Sequence, residues 1–250
     1  MSVRGRIATH GLSTGKVPMT ALDTGRSQGA RVGSVNVPAV RSVDQARSRV
    51  LPARPGQAAM IIAAFTGVLY LTEAVDTVLG GALDADGIRP RRLDGLDGIL
   101  WAPLLHHGWQ HLAANTVPVL VLGFFALAGG VGQFVAVTAT IWLLGGLGTW
   151  LMGSDGVHLG ASILVFGWLV FLLARGFFAR SAAQVLLALA LFAVWGGALW
   201  GVLPGAAGIS WQGHLSGALG GLIAAQLVAR ADRSRADRPG IADRPWVNSS

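Results

Sequence analysis

The feature that most constrains this chain is a succession of long apolar runs joined by very short links. About 20 apolar residues cross a bilayer as a helix. Six candidate runs follow one another, roughly residues 57–80, 112–129, 132–152, 159–179, 182–203 and 209–229. The first is the weakest, because Glu73 and Asp76 lie near its end. The links at 129–132, 153–157, 175–180 and 204–208 are too short for anything but antiparallel neighbours. Composition agrees: 52% hydrophobic and only 12% charged residues, with mean hydropathy +0.56, mark a polytopic membrane protein. The expected fold is an all-α bundle of six transmembrane helices.

The flanks differ from this core. Residues 1–56 are rich in Ser, Gly, Arg and Val without apolar periodicity, which predicts a disordered basic arm. The arm has no apolar core or small-residue cleavage site of a secretory signal, and a transit peptide is the lesser reading of its arginines. Residues 57–230 form the expected membrane domain and 231–250 a polar tail. The net charge of +7 does not imply a nucleic-acid partner. Its arginines gather in the arm, an early loop, a mid-chain loop and the tail, as charges excluded from a bilayer would. With six crossings, the arm, Arg175, Arg180, Arg230, Arg233, Arg235 and Arg238 fall on one side, predicted to be cytoplasmic. The opposite side receives Trp101, Trp109, Trp150, Trp200 and Trp211 as an aromatic belt.

That side also receives GALDADGIRPRRLDGLDGILWAPLLHHGWQH at 81–111, read as an amphipathic insertion at the interface. Its Arg89, Arg91 and Arg92 break the charge pattern, in the company of Asp84, Asp86, Asp94 and Asp97. The absence of cysteine excludes disulfides and a thiolate nucleophile. Arginine preferred over lysine, with abundant Ala, Gly and Val, suggests a GC-rich bacterial gene and hence a plasma membrane.

Polar groups inside a membrane need pairing or solvation, so the few present are informative. They are His111, Asn115, Ser162 and His214. At about 1.5 Å rise per residue from the inner helix ends, they stand roughly 27, 21, 20 and 24 Å up, within about two turns of one another. His111 and Asn115 are four apart and share a face. Gly213, Gly217 and Gly221 recur every four residues beside His214, and Gly160 with Ala161 flanks Ser162; small residues let helix backbones approach. A serine needs a base to become a nucleophile, and histidine is the usual one. Acyl transfer also needs donors at the oxyanion, available from the Ser162 N–H, His111 and Asn115. With no intramembrane aspartate to orient His214, the pair is a dyad.

These residues resemble the rhomboid intramembrane serine proteases. The resemblance spans about residues 84–229 and rests on GIRPR at 87–91, HHGWQHLAAN at 106–115, GAS at 160–162 and SWQGHLSGALGG at 210–221, in this order. It implies Ser162 as nucleophile, His214 as general base, and His111 with Asn115 at the oxyanion. Phe166 sits where the family has an aromatic residue packing on the catalytic histidine. The resemblance also implies transmembrane protein substrates, lateral entry near the second and fifth spans, and small residues before the scissile bond. One position departs: Ile163 stands where the family has glycine after the serine, and a β-branched residue there is expected to crowd the nucleophile or restrict its backbone.

Other readings remain beside this one. A lone transmembrane serine commonly bonds the carbonyl one turn back. His107 and His111 have metal-ligand spacing, but no HExxH glutamate or third ligand accompanies them, so no metal or other cofactor is expected. His106 and His107 read as interfacial or substrate-side groups, Asp155 as solvated and His158 as a boundary residue. Gly145, Gly146 and Gly148 read as packing positions. An inert rhomboid-like adaptor that binds transmembrane helices is the alternative function, supported by Ile163. A transporter would need ionisable groups along a whole path, whereas the polar residues here gather in one half. Substrate identity and oligomeric state are not legible.

Overall fold

The computed structural model describes residues 49–205 and 208–236; the expected arm over 1–48 and the tail beyond 236 lie outside the described residues. The described chain is helical. Its long helices are α1 (Pro55–Val78), α3 (Trp109–Ala126), α4 (Val131–Met152), α5 (Ser162–Ala179), α6 (Ala182–Trp195) and α7 (Trp211–Ala236), with a one-turn α2 (Gly98–Trp101) before α3. Five helical stretches are long and apolar enough to cross a membrane, counting the 3₁₀ turns that extend α3 to Gly129 and α6 to Val202. The protein is an all-α, multi-pass membrane protein.

The sixth expected span, α7, has the length but not the apolarity of the other five. Its place in the bundle explains why. It lies between α4 and α5 and packs on both more extensively than any other helix pair. A Cβ at Gly217 would collide with the Ile163 carbonyl, one at Gly221 with the Gly167 carbonyl, and one at Gly220 would stand 3.1 Å from Ile141 Cα. One face of the helix therefore meets protein through close backbone approach in place of apolar bulk, while Leu219, Ile223 and Leu227 line its exposed face. It also runs on through Ala236, beyond the boundary expected at 230.

Helix α5 is the centre of the bundle, touching α3, α4, α6 and α7. Trp168, Phe171, Leu164 and Leu169 are buried along it, with Leu112, Leu122 and Ile141 from the neighbours. Helix α1 packs on α3 at the periphery. Glu73 and Asp76, which weakened the first span on paper, are both buried, and Asp76 Oδ1 accepts the Leu83 N–H at 2.7 Å where the chain turns back.

The segment between α1 and α3 is a built structure rather than a loose interfacial strap. It comprises 3₁₀ turns at Ala82–Asp86, Leu93–Gly95 and Ala102–Leu104 around α2. Ile88 exchanges two backbone hydrogen bonds with His158 (2.8 and 2.9 Å), and Arg91 donates to the Gly153 carbonyl (2.6 Å) and pairs with Asp155. The Trp142 and Trp150 indoles of α4 donate to the carbonyls of Ile99 and Arg92. The GIRPR stretch thus clamps the chain that leads into α5.

Candidate active site

That clamp sets where α5 begins. Residues 159–161 were expected inside a helix starting near Leu159, but the bridge to Ile88 holds His158 extended, and Gly160 has φ +122°, a conformation that favours glycine. Helix α5 accordingly starts at Ser162, its first residue. Two consequences follow. The Ser162 N–H precedes the first intrahelical hydrogen bonds, so it is an uncommitted donor at a helix N-terminus. The hydroxyl has no helical carbonyl one turn back: six threonines (Thr66, Thr72, Thr77, Thr116, Thr140 and Thr149) bond such a carbonyl, whereas the Ser162 hydroxyl makes no hydrogen bond among the described residues.

His214, near the start of α7, is placed by two contacts. Its ring stacks on Phe166 with centroids 4.0 Å apart and planes 10° from parallel. Phe166 lies one turn after Ser162 on the same face, so the imidazole is carried over the serine's face of α5. Its Nδ1 lies 3.0 Å from the Gly201 carbonyl oxygen. A carbonyl only accepts, so Nδ1 is the protonated nitrogen and a neutral ring keeps its Nε2 lone pair free. The group that orients His214 is therefore a backbone carbonyl, beyond the reach of any search for an aspartate.

His111 has the complementary tautomer. Its Nδ1 accepts the His107 N–H at 3.4 Å, which leaves Nε2 to carry the proton. A methyl placed on Gly160 would stand 3.0 Å from that Nε2 and 3.7 Å from Ser162 Oγ. The missing side chain of Gly160 thus lets the His111 ring approach the backbone just before Ser162, since a Cβ there would collide with His111 Cε1. Asn115 is buried beneath, and its amide donates to the His111 carbonyl at 3.0 Å. One of its two hydrogens is spent inside α3.

Ile163 does not crowd the serine. Its side chain is buried toward α4 and α7, where a Cβ on Gly145 would meet its Cγ2 at 2.6 Å and one on Gly213 its Cγ1 at 3.4 Å. Those glycines and Gly217 make the room that the extra side chain needs.

Two histidines read as peripheral are structural parts of the site. His106 is 2% exposed, and its Nε2 accepts the N–H of Ala161, the residue before Ser162. Burial, with the neighbouring His111, pushes its imidazole down to about 3, so it stays an acceptor. His158 is buried and joins three elements. Its Nε2 donates to the Ser154 carbonyl (2.9 Å) and its Nδ1 faces Ser210 Oγ (2.7 Å), while Ser210 accepts the Gly213 N–H as the cap of α7. The sequence offered no signal for these partners, because most are backbone atoms. His107, by contrast, is exposed and pairs with Asp84 at 3.0 Å.

The fold is that of a helical membrane protein in which a serine heads the central helix and a histidine of a neighbouring helix stacks on that helix one turn further on. The rhomboid domain model matches residues 96–231, more than half of the chain, and the protein belongs to the rhomboid family. Uncharacterized proteins of Mycobacterium tuberculosis and Mycobacterium bovis are each 49% identical to it over 181 residues, covering 69% of this chain and 75% of theirs. One of Mycobacterium leprae is 45% identical over 198 residues, 75% of this chain and 78% of its own. No solved structure matches the chain.

Proposed function

We propose that the protein is an intramembrane serine endopeptidase, hydrolysing peptide bonds in or beside transmembrane segments of other membrane proteins through a Ser162–His214 dyad. The observation that carries this reading is the pair of opposed tautomers around an unbonded serine: a free Nε2 lone pair on His214 and an Nε2–H on His111. His214 Nε2 takes the Ser162 proton as Oγ attacks the scissile carbonyl carbon. The oxyanion so formed is met by the Ser162 N–H and His111 Nε2–H, with the second Asn115 hydrogen as a further donor. Collapse expels the amine, which receives the proton from His214. Water, activated by the same imidazole, then hydrolyses the acyl-enzyme.

Other features of the molecule fit this chemistry. The arginines of α5 and α7 lie at the opposite helix ends from Ser162 and His214, which supports cytoplasmic termini and a site open to the outer face of a bacterial plasma membrane. Lateral entry of a substrate beside α3 and α6 is supported by α6, of whose span only 6% is buried. A substrate helix must unwind there to offer its amide. The test is cleavage of a single-span reporter protein in proteoliposomes. Ser162→Ala and His214→Ala should each abolish cleavage, and His111→Ala should cost about 100-fold, Asn115→Ala less. An adaptor that binds transmembrane helices without hydrolysis is the rival; reporter bound but uncut by folded wild type would establish it.

A further inference from the structure

At the end of α5 away from Ser162, a cavity of about 970 Å³ opens between α5, α6 and α7. The serine and Arg175 are thirteen residues apart, or about 20 Å along the helix, so this space is separate from the site above. Arg175 lines it while being only 5% exposed. Buried arginine is ordinarily paired, yet Arg175 has no hydrogen bond or close ion pair among the described residues; it meets the Phe171 ring, 5.9 Å from the guanidinium carbon, and feels the charge of Asp232 on α7 beyond ion-pair distance. A contact with a ring face leaves the guanidinium N–H groups without a hydrogen-bond acceptor.

Two further cations, Arg180 and Arg233, line the same cavity, against a single acid, Asp232. Asp232 makes its ion pair with Arg235, at 3.5 Å, and offsets only part of the charge of Arg175, leaving the three cations in excess over the one acid. The remaining wall is apolar, including Phe177, Val185 and Val228. A desolvated fork of donors in a cationic and partly greasy cavity suits one ligand chemistry: a phosphate oxyanion, which arginine takes in bidentate fashion.

We infer that this cavity binds a phosphate-bearing anion, held by Arg175 with Arg180 and Arg233. At a helix end of a membrane bundle, the apolar wall favours the headgroup of an anionic phospholipid, with its glycerol and first methylenes against Phe177 and Val185; soluble phosphate shares the same headgroup chemistry. The inference is independent of whether Ser162 is catalytic.

The test uses the full-length protein in detergent and reads thermal unfolding and retained lipid by native mass spectrometry. Three additions are compared: phosphatidylglycerol micelles, phosphatidylcholine micelles, and inorganic phosphate alone. Phosphatidylglycerol should be retained about fivefold or more over phosphatidylcholine and raise the unfolding temperature, with the preference lost in Arg175→Gln and weakened in Arg180→Gln/Arg233→Gln. Arg235→Gln, at the arginine already paired, should keep it, separating a site from general surface charge. An equal response to inorganic phosphate alone, lost in Arg175→Gln, would keep the anion site and make its ligand soluble. A preference unchanged in Arg175→Gln, or equally reduced by Arg235→Gln, would overturn the inference. Should Arg175→Gln not fold, Arg175→Lys is read instead, and it should lower retention by losing the bidentate geometry.

Discussion

Helices α6 and α7 make the most instructive pair in the molecule. Helix α6 and its extension are thoroughly apolar, and only 6% of that span is buried; its main helical contact is with α5. Helix α7 is too rich in glycine and polar residues to count as an apolar span, yet it is wedged between α4 and α5 by backbone contacts. Hydropathy thus reports contact with lipid, not the strength of a helix's attachment to the bundle. The same contrast divides labour at the site. Helix α7 supplies His214 from a rigid interior position, while the loosely held α6 leads into the Gly201 carbonyl that orients it.

The largest effect should come from breaking α7. Gly217→Val sets a branched side chain against the Ile163 carbonyl and should cost at least about 3 kcal/mol, seen as loss of monodisperse protein in detergent. A variant that folds with wild-type stability would sink the claim that backbone contact holds this helix. His106 comes next, through acidification. Its pKa of about 3 in the fold lies below the 6.5 of an unperturbed imidazole. As pH falls, the unfolded chain therefore takes up the proton first. Stability is complete above about 6.5 and drains away toward 3, with about 2 kcal/mol gone by about pH 5. Unfolding temperatures of wild type and His106→Gln, followed from neutral to acid pH, should diverge; parallel curves would refute this burial argument.

A smaller effect is expected where α7 is tied to the loop before the serine. His158→Ala removes the link between Ser154 and Ser210 and should cost about 1–3 kcal/mol. If the proposed dyad operates, it should also lower kcat more than KM, since it shifts the start of both helices that carry Ser162 and His214. Smallest of all, Leu186→Ala and Leu189→Ala on the exposed face of α6 should change stability in detergent by no more than about 0.5 kcal/mol. Losses as large as those in α7 would erase the contrast between the two helices.

Much of this was legible in the residues. The glycines at 213, 217 and 221 foretold a close helix pair, and Phe166 stacks on His214 as the resemblance implied. What escaped was set by partners distant in sequence. The start of α5 depends on a bridge between Ile88 and His158, which no local pattern encodes. His106 and His158 looked peripheral because their hydrogen-bond partners, a backbone N–H at 161, a carbonyl at 154 and a hydroxyl at 210, are invisible to residue type. Ile163 looked like an obstruction because the glycines that receive it sit on two other helices.

The central claim is that Ser162 is a hydroxyl kept free for attack, with His214 as its base. The direct measurement is labelling of the folded, detergent-purified protein with a fluorophosphonate, followed by mass mapping of the modified residue. The account predicts a single phosphonylated residue, Ser162, in the wild type, with labelling lost in Ser162→Ala and reduced at least about 100-fold in His214→Ala. An unlabelled wild type that is demonstrably folded, or labelling that persists in Ser162→Ala, would contradict it.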